Sequence, residues 1–234
     1  MGTGNEQAAT ADIDRADTFQ LKYRVTVKGG YAGFGEPNPH TRDIQLYETI
    51  LSGDLSSNDR DVNEPRELLT DPCRADNSFH VVTGSGTYQH AVLDGFTITG
   101  GNANGSHPDD NGGGMYNKNG SPTVTNCTFS GNSASNYGAG MYNEESSPML
   151  TTCTFSCNFA NTNRGGGMGN FESSPTVANC TFSGNSAKWG GGMGNTESSP
   201  TLTNCILWGD EPNEIVDDVL NSTIVTFSDV KGGW

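Results

Sequence analysis

The sequence is poor in hydrophobic residues, which make up 32% of its 234 residues and leave a mean hydropathy of −0.55. This is too little for the thick core of an ordinary layered α/β domain, and it favours either disorder or a repeat fold with a thin, stacked core. No apolar run approaches about 18 residues, so no transmembrane helix is expected. The acidic N-terminal segment lacks the apolar stretch of a signal peptide, so no export leader is expected in this chain.

Positive charge is also scarce. The chain carries 12 Lys and Arg against 27 Asp and Glu, a net charge of −15 at pH 7. Phosphate binding requires a basic surface, so a nucleic acid is excluded as the main partner. The 4 histidines are scattered, and the sequence contains no GxSxG, HExxH or P-loop pattern. These common catalytic and nucleotide-binding classes are therefore not indicated.

What the sequence has in abundance is glycine, at 32 residues, and an internal repeat. Three residue types recur in one register over four units, with spacings of 26, 27 and 25 residues. Their positions are Met115, Met141, Met168 and Met193, then Pro122, Pro148, Pro175 and Pro200, and then Cys127, Cys153, Cys180 and Cys205. A period of this length without helical patterning indicates a solenoid of stacked coils.

Each unit alternates apolar residues with Thr and Ser, and this alternation predicts two short strands that meet at a bend. Asparagine suits such bends because it tolerates left-handed backbone, and stacked asparagines can bond one another. Three columns of mainly asparagine recur, namely Asn126, Thr152, Asn179 and Asn204, then Asn117, Asn143, Asn170 and Asn195, and then Asn132, Asn158, Asn185 and Asp210. Three corners predict a coil with three faces, and stacked coils of this kind form an all-β parallel β-helix.

The whole chain, 1–234, is predicted to be one β-helix domain of about seven coils. Residues 1–20 are predicted to be a loose end or cap, 21–111 to form irregular coils, 112–211 to form the regular repeats of 25–27 residues, and 212–234 to form a last coil or cap. Segment 36–77, rich in proline and charge, is predicted to be a long excursion loop. Differences in coil length should lie just before the glycine clusters, because other spacings are fixed.

The units also resemble a known repeat. Phe129, Phe155 and Phe182, each followed three residues later by Asn, resemble the FxxN half of the polymorphic outer membrane protein repeat, and the Gly-Gly-Gly-Met clusters resemble its glycine-rich half. The resemblance covers residues 112–210, with Met in place of the family's aliphatic residue. It implies a single-stranded right-handed parallel β-helix that is secreted or lies on a bacterial cell surface.

The cysteine column is predicted to point inward as reduced, buried thiols, because stacked parallel side chains suit disulfide geometry poorly. Zinc is not favoured, since ligands on one straight column cannot surround an ion. Cys157 differs, because it replaces the glycine found at Gly131 and Gly184, and Cys73 lies in the predicted loop. Two alternatives stay open for this pair, a Cys73–Cys157 disulfide or two free thiols.

Carboxylates are the first candidates for chemistry. Glu145, Glu172 and Glu197 occupy one column, immediately before Ser-Ser-Pro. At the strand spacing of about 4.8 Å, three carboxylates repel one another. The column is therefore interpreted as a solvated acidic rim, as a set of Ca²⁺ ligands, or as a catalytic carboxylate pair for glycoside hydrolysis.

Aromatic residues are the second set of candidates. Four of them are predicted to point outward and to bind substrate, namely Tyr116, Tyr142, Trp189 and Trp208. A groove that combines such rings with Glu172 would suit a polysaccharide, since aromatic faces stack on sugars. The alternative is a set of scattered surface aromatics without a common ligand.

Two classes of function remain. The first is a secreted or cell-surface module that binds carbohydrate or another surface polymer, or that acts as an adhesive stalk. The second is a polysaccharide-degrading enzyme that uses the column glutamates. Within that class a hydrolase is favoured over a lyase, because Lys118, Arg164 and Lys188, the basic residues that a lyase would need, do not share one column. The oligomeric state, the export route and the glycan stay open.

Overall fold

The computed structural model describes residues 14–60, 62, 64–218 and 222–233. Over these residues the chain winds into a parallel β-helix, and each coil adds one short strand to each of three seven-stranded sheets. The seven coils confirm the predicted all-β solenoid. Two short 3₁₀-helices, Pro65–Glu67 and Pro72–Arg74, are the only helices in the described part of the chain.

The strands are short because each coil turns after a few residues. Sheet 1 contains Phe19–Gln20, Val82–Thr83, Met115–Lys118, Met141–Glu144, Met168–Phe171, Met193–Thr196 and Ile215–Val216. Sheet 2 contains Thr26–Lys28, Val92–Asp94, Thr123–Thr125, Met149–Thr151, Thr176–Ala178, Thr201–Thr203 and Ile224–Thr226. Sheet 3 contains Ile50–Ser52, Thr97–Thr99, Thr128–Ser130, Thr154–Ser156, Thr181–Ser183, Ile206–Trp208 and Asp229–Val230. Sheet 4 contains Asn102–Ala103, Ser133–Ala134, Phe159–Arg164 and Ser186–Trp189.

Equivalent positions of successive units lie side by side. Phe155 pairs with Phe129 on one side and with Phe182 on the other, in parallel register. Their rings stack with centroids 4.8 and 4.7 Å apart and planes within 5° of parallel. This distance is the ordinary spacing of neighbouring strands, so the sheet geometry itself sets the ring stack. The predicted phenylalanine column is confirmed.

The central residue of each three-residue strand points inward, because side chains alternate between the two faces of a strand. The central residues of sheet 2 in the five inner strands, for example Val124 and Leu150, are fully buried, as are the methionines that open the four regular strands of sheet 1. The four cysteines of the repeat lie between sheets 2 and 3, each 1% exposed and free, as predicted. One thin column of apolar side chains therefore runs through all the coils.

The bend between sheets 2 and 3 requires left-handed backbone. Asn126, Thr152, Asn179 and Asn204 have φ angles of 52, 54, 55 and 54°. Asparagine reaches this region at little cost, whereas the β-branched Thr152 adopts it with strain. The predicted bend column is confirmed, and it separates the two strands that the sequence pattern identified.

A ladder of buried amides supports the sheet 1 side of each coil. Asn117 donates from Nδ2 to Oδ1 of Asn143 at 2.9 Å, Asn143 donates to Asn170 at 2.8 Å, and Asn170 donates to Asn195 at 2.8 Å. These amides are at most 1% exposed, and a buried polar group without a partner costs about 1–3 kcal/mol. Stacking therefore satisfies the amides within the ladder, whereas Oδ1 of Asn117, at its first member, has no hydrogen-bond donor among the described residues.

Sheet 4 corrects the prediction of a coil with three faces. Its strands pair over as few as two residues, and small buried alanines, including Ala134 and Ala160, form a second core beneath it. The glycine turn that follows needs left-handed backbone at Gly165 (φ 74°) and leaves no room for a side chain at Gly166, whose added Cβ would collide with backbone of the next coil. Strands this short carry no alternation that sequence analysis could detect.

Differences in coil length are absorbed at sheet 4, where the sequence placed them. Residues 160 and 164 pair with residues 187 and 189, so the longer coil accommodates two extra residues through a shift in register. The methionine, phenylalanine and asparagine columns on either side stay aligned. Insertions are thus confined to one turn of the coil.

The N-terminal coils differ from the prediction in two places. Segment 36–77, predicted to be one loop, contains the strand Ile50–Ser52, which pairs with sheet 3. Strand Phe19–Gln20 lies in the predicted loose end and pairs with sheet 1, whereas residues 1–13 lie outside the described part. Both strands are too short and too far from their neighbours in sequence to display a repeat.

Candidate functional site

The glutamate column lies where sheet 1 turns toward sheet 2. Glu145, Glu172 and Glu197 each follow a strand of sheet 1 with left-handed backbone, at φ angles of 49, 48 and 52°, and all three are exposed. No cluster of three or more His, Cys, Asp or Glu side chains that could hold a metal ion occurs among the described residues. The roles of the three glutamates as Ca²⁺ ligands or as catalysts stay predictions.

The serines after these glutamates explain why the motif repeats. The backbone N–H of Ser146 donates to Oγ of Ser173 at 2.8 Å, and the N–H of Ser173 donates to Oγ of Ser198 at 2.9 Å. These three serines are 1% exposed. The Glu-Ser-Ser-Pro spacing thus supplies a hydrogen-bonded corner, and the glutamate is the outward-facing member of that corner.

Tyr116 and Tyr142 correct the prediction of an exposed aromatic surface. They point away from the methionine core, but they are only 6% and 4% exposed. Ring centroids lie 4.9 Å apart for His80 and Tyr116, 5.8 Å for Tyr116 and Tyr142, and 5.6 Å for Tyr142 and Tyr137. Tyr116 lies between His80 and Tyr142, and Tyr142 lies between Tyr116 and Tyr137, so the ring faces are occupied and cannot stack on a sugar.

Glu144 closes this buried tyrosine stack. It accepts hydrogen bonds from the hydroxyl of Tyr116 at 2.9 Å and from Nζ of Lys118 at 2.6 Å. Burial acts to raise the pKa of Glu144, but the hydrogen bonds from Lys118 and Tyr116 outweigh it and lower the pKa. Burial, helped by the nearby Glu144, raises the pKa of both Tyr116 and Tyr142. The arrangement is a satisfied structural network.

The two tryptophans are exposed. Trp189 at the end of sheet 4 is 42% exposed, and Trp208 at the end of sheet 3 is 54% exposed. The ammonium of Lys188 lies 4.3 Å from the centre of the Trp189 ring, within the range of a cation–π contact. Their predicted role in substrate binding stays a prediction, but both rings are available to solvent.

A groove of about 730 Å³ lies beside sheet 4, and we call it the sheet 4 groove. Its walls come from sheet 4, from the loop that follows sheet 3 in the sixth coil, from the 3₁₀-helical loop and from the chain's last residues. The lining residues are Arg66, Phe159, Asn161, Ala187, Lys188, Asp210, Glu211, Pro212 and Lys231. Its volume falls within the range of about 300–1,000 Å³ that is typical of small-molecule sites.

Basic side chains outnumber acidic ones in this groove, three to two, whereas acidic residues predominate in the whole protein. Arg66, Lys188 and Lys231 are three of the chain's 12 basic residues. Arg66 pairs with Glu211 at 3.3 Å, with both side chains largely exposed. Lys188 and Lys231 form no ion pair with any residue that the structure describes. Two uncompensated ammonium groups therefore face the groove.

Asp210 lies at the base of the groove and is 4% exposed. Its Oδ1 accepts hydrogen bonds from the backbone N–H and from Nδ2 of Asn185, at 2.7 and 2.8 Å. Its Oδ2 is buried and has no hydrogen-bond donor among the described residues. Burial raises the pKa of Asp210 to about 7, and the adjacent Glu214 contributes to the rise. This carboxyl group therefore changes charge near neutral pH.

Sequence reasoning missed most of this groove. Arg66 and Lys231 lie outside the regular repeats, and no spacing connects them with Lys188. Asp210 was recognised only as a departure from an asparagine column. The one sequence feature that could have indicated the groove was the departure of Asp210 from the repeat. The three basic residues, which are rare in this chain, come together only in the folded structure.

The disulfide alternative for Cys73 and Cys157 is excluded, because both are free thiols in the structure. Cys157 is exposed, and its φ of 53° matches the left-handed backbone of Gly131 and Gly184 in the neighbouring coils. It faces a separate cavity of about 280 Å³ that also includes Arg66. The glycine-to-cysteine replacement thus occurs at a strained corner and does not serve a covalent link.

No helix among the described residues has the length and apolar character that a membrane span requires. No curated protein and no solved structure shows significant similarity to the chain. The model of the right-handed β-helix family matches residues 113–229, which is half of the chain, and it covers the regular coils and the loop that carries Asp210. Together with the parallel sheets, this match establishes that the chain belongs to the right-handed β-helix family.

Proposed function

We propose that this chain is a carbohydrate-binding β-helix module, and that it binds an acidic polysaccharide in the sheet 4 groove. The observation that carries the proposal is the excess of basic side chains in the groove, with Lys188 and Lys231 unpaired and Arg66 beside them in a protein of net charge −15. A neutral ligand would gain nothing from that arrangement. Carboxylated or sulfated sugars would gain charge-assisted hydrogen bonds from each cation.

The rest of the groove is compatible with sugar rings. Trp189 and Trp208 expose aromatic faces on the strands that lead into it, and such faces pack against the apolar side of a sugar. Phe159 and Pro212 add apolar surface to the lining. Overall repulsion between the acidic protein and an acidic polymer would disfavour binding to the acidic surfaces of the protein, which favours a defined binding mode at the basic side chains of the groove.

The finer family assignment and the location of the protein belong to the same proposal. The polymorphic outer membrane protein-like repeats support a secreted or bacterial cell-surface protein, where acidic polysaccharides are accessible partners. An adhesive stalk is compatible with this view, since the repetitive coils would hold the groove on a rigid rod.

Binding to polygalacturonate, with dextran as the neutral comparison, tests the proposal by calorimetry. Wild-type protein should bind polygalacturonate with an affinity that falls as salt rises, and it should ignore dextran. The double variant Lys188→Ala/Lys231→Ala should weaken binding by about tenfold or more, since each hydrogen bond to a charged group contributes about 1.5–3 kcal/mol. Lys22→Ala/Lys28→Ala removes the same charge from exposed sites near the N-terminus and serves as the matched control.

An equal loss of polygalacturonate affinity in the two double variants would mean that binding depends on overall charge and not on the groove. Equal binding of dextran and polygalacturonate would contradict the preference for acidic sugars.

The hydrolase alternative is tested separately. The glutamate column lies at the far end of the sheet 1 strands from the sheet 4 groove, so Glu172 is not positioned to act on a sugar bound there. Release of reducing sugar from a polysaccharide panel, abolished by Glu172→Gln without loss of fold, would establish the enzyme and would show that the glutamates act at a different surface.

A further inference from the structure

The asparagine column at the corner between sheets 3 and 4 ends in a carboxylate. The backbone N–H and Nδ2 of Asn132 donate to Oδ1 of Asn158, those of Asn158 donate to Oδ1 of Asn185, and those of Asn185 donate to Oδ1 of Asp210. Three amides and one carboxyl group therefore occupy equivalent places. The chemistry of the fourth member differs from that of the other three.

In this column, Oδ2 of Asp210 occupies the place that an amide nitrogen occupies in the earlier coils. A Cβ added at Gly167 would contact Nδ2 of Asn185, and a Cβ added at Gly192, one coil later, would contact Oδ2 of Asp210. The amide nitrogens at this place donate to strand carbonyls, as Asn185 donates to the carbonyl oxygen of Phe155 at 2.9 Å. An ionised Oδ2 cannot donate, whereas a protonated Oδ2 restores the donor that the site requires.

Glu214 is the second member of the arrangement. Its Oε1 accepts from the N–H of Gly209 at 3.0 Å, and its Oε2 accepts from the N–H of Asp210 at 3.1 Å. Glu214 is 5% exposed, so two carboxyl groups are buried next to each other in one short loop. Ionisation of both places two like charges in a site shielded from water, which is costly unless a proton is shared.

The loop that these groups hold is one wall of the groove. The N–H of Glu211 donates to the carbonyl oxygen of Asn185 at 2.8 Å, and the carbonyl oxygen of Glu211 accepts from the N–H of Ala187 at 3.0 Å. Glu211 and Pro212 then line the sheet 4 groove. Any loss of order at residues 209–214 would therefore alter the binding surface directly.

We propose that Asp210 and Glu214 form a proton-operated latch that holds the loop 209–214 against the sheet 4 groove, closed when Oδ2 of Asp210 carries a proton and loosened when that proton is lost. The inference about the latch rests on the carboxyl pair alone. Its effect on glycan binding rests in addition on the proposed function.

The charged groups around the pair are few. The preceding coil presents the neutral amide of Asn185, the glycine turn presents the backbone of Gly192, and the loop itself presents Glu214. Arg66, Lys188, Glu211 and Lys231 face the groove outside this buried layer, and Arg66 is already paired with Glu211. Glu214 is therefore the charged group that lies next to Asp210 within this layer, and the groove cations lie outside it.

The sign of the effect follows from linkage. Burial raises the pKa of Asp210 to about 7, so the folded protein holds this proton more tightly than the unfolded chain does. The stabilisation is fully present below the ordinary carboxyl pKa of about 4, and it is lost as pH rises toward about 7. An anionic ligand in the groove favours the protonated, less negative state, so its affinity should stay constant below about pH 7 and fall as pH rises above that value.

The first test uses the protein without ligand. The ¹³C carboxyl resonance of Asp210 should titrate near neutral pH, and the melting temperature of the wild type should fall between about pH 5 and about pH 8 relative to that of Asp210→Asn. Asp210→Asn continues the amide column and cannot lose a proton. Asp229→Asn makes the same change at an exposed position of the last coil, and it should follow the wild type.

The second test measures polygalacturonate affinity between about pH 6 and about pH 9, the range that spans the pKa of Asp210 in the free and in the bound protein. The wild type should lose about tenfold in affinity if the ligand raises the Asp210 pKa by about one unit, and Asp210→Asn should lose much less. The latch would be overturned if the melting temperatures of the wild type and of Asp210→Asn changed equally with pH. It would also be overturned if the carboxyl group of Asp210 titrated near 4, as an ordinary carboxylate does. Absence of glycan binding at every pH would overturn the proposed function and leave the ligand-free result standing.

Discussion

Side chains in the interior of the regular coils meet their own kind, whereas side chains at the sheet 4 groove come from segments with no sequence relation. Phe155 lies between two phenylalanines at 4.7 and 4.8 Å, and Asn143 lies between two asparagines. The groove instead joins Arg66 with Lys231, which lie far apart in the sequence. The repeated residues form the stacked interior, whereas the charged groups that could bind a ligand come together where the repeat is interrupted.

The largest effect should come from breaking the interior stack. Phe155→Ala should lower the free energy of unfolding by roughly 3–5 kcal/mol, because neighbours held in register by two sheet partners cannot collapse into the cavity. Urea unfolding measures the change. Thr154→Ala, on the outer face of the same strand, should cost less than about 0.5 kcal/mol, and equal losses at the two sites would mean that the faces are assigned wrongly.

The next effect should come from making an interior coil resemble the last one. Asn158→Asp would place a carboxylate oxygen where Nδ2 now donates to Phe129 and to Asn185, both at 2.9 Å. The loss should be about 3 kcal/mol at neutral pH and smaller in acid, because a protonated carboxyl group can donate again. Chemical denaturation at two pH values measures it. A loss independent of pH would count against the same argument at Asp210.

A smaller effect on stability is expected at the groove itself. Lys188→Ala and Lys231→Ala should each change the free energy of unfolding by less than about 0.5 kcal/mol, because both ammonium groups are solvated at the surface. The same variants should weaken polygalacturonate binding, so stability and binding would separate. Thermal melts of the variants used for calorimetry provide the measurement. A large loss of stability would mean that these lysines support the fold, as Phe155 does.

The smallest effect is expected at the glutamate column. Glu172→Gln should change stability by less than about 0.5 kcal/mol, since Glu172 is exposed and its neighbouring serines supply the corner hydrogen bonds. Millimolar calcium should leave the melting temperature unchanged. A rise with calcium that disappears in Glu172→Gln would instead establish the column as a cation site, because a ligand that binds only the folded state stabilises it.

The interior was predictable because a residue type that recurs at one position of every coil is compatible with few arrangements of the strands. The spacing of Met115, Met141, Met168 and Met193 predicted parallel strands in register, and the asparagine columns predicted the corners. Tyr116 was placed on the correct side of its strand but wrongly expected to be exposed. Its ring is covered by His80 and Tyr142, and His80 lies outside the regular repeats, so no spacing in the sequence indicated the contact.

The groove was not predictable for a different reason. Its charges come from a loop, from the end of a sheet 4 strand and from the last residues, and only the folded coil brings them together. Asp210 stood out as a substitution in a column, yet its buried position beside Glu214 depends on a turn in the loop 209–214 that no repeat encodes. Such sites depend on tertiary contacts. In a single sequence, these contacts are visible only where a residue departs from the repeat.

The register shift at residues 160–164 has a consequence for how such a protein changes over generations. Each coil keeps its stacking columns while one turn takes up added residues, so a duplicated or deleted unit of about 26 residues would rejoin the stack with every column intact. Rod length is therefore a quantity that can be adjusted in steps of one coil. The loop 209–214 and Lys231 would then move by one coil relative to Arg66, so each step would also change the groove.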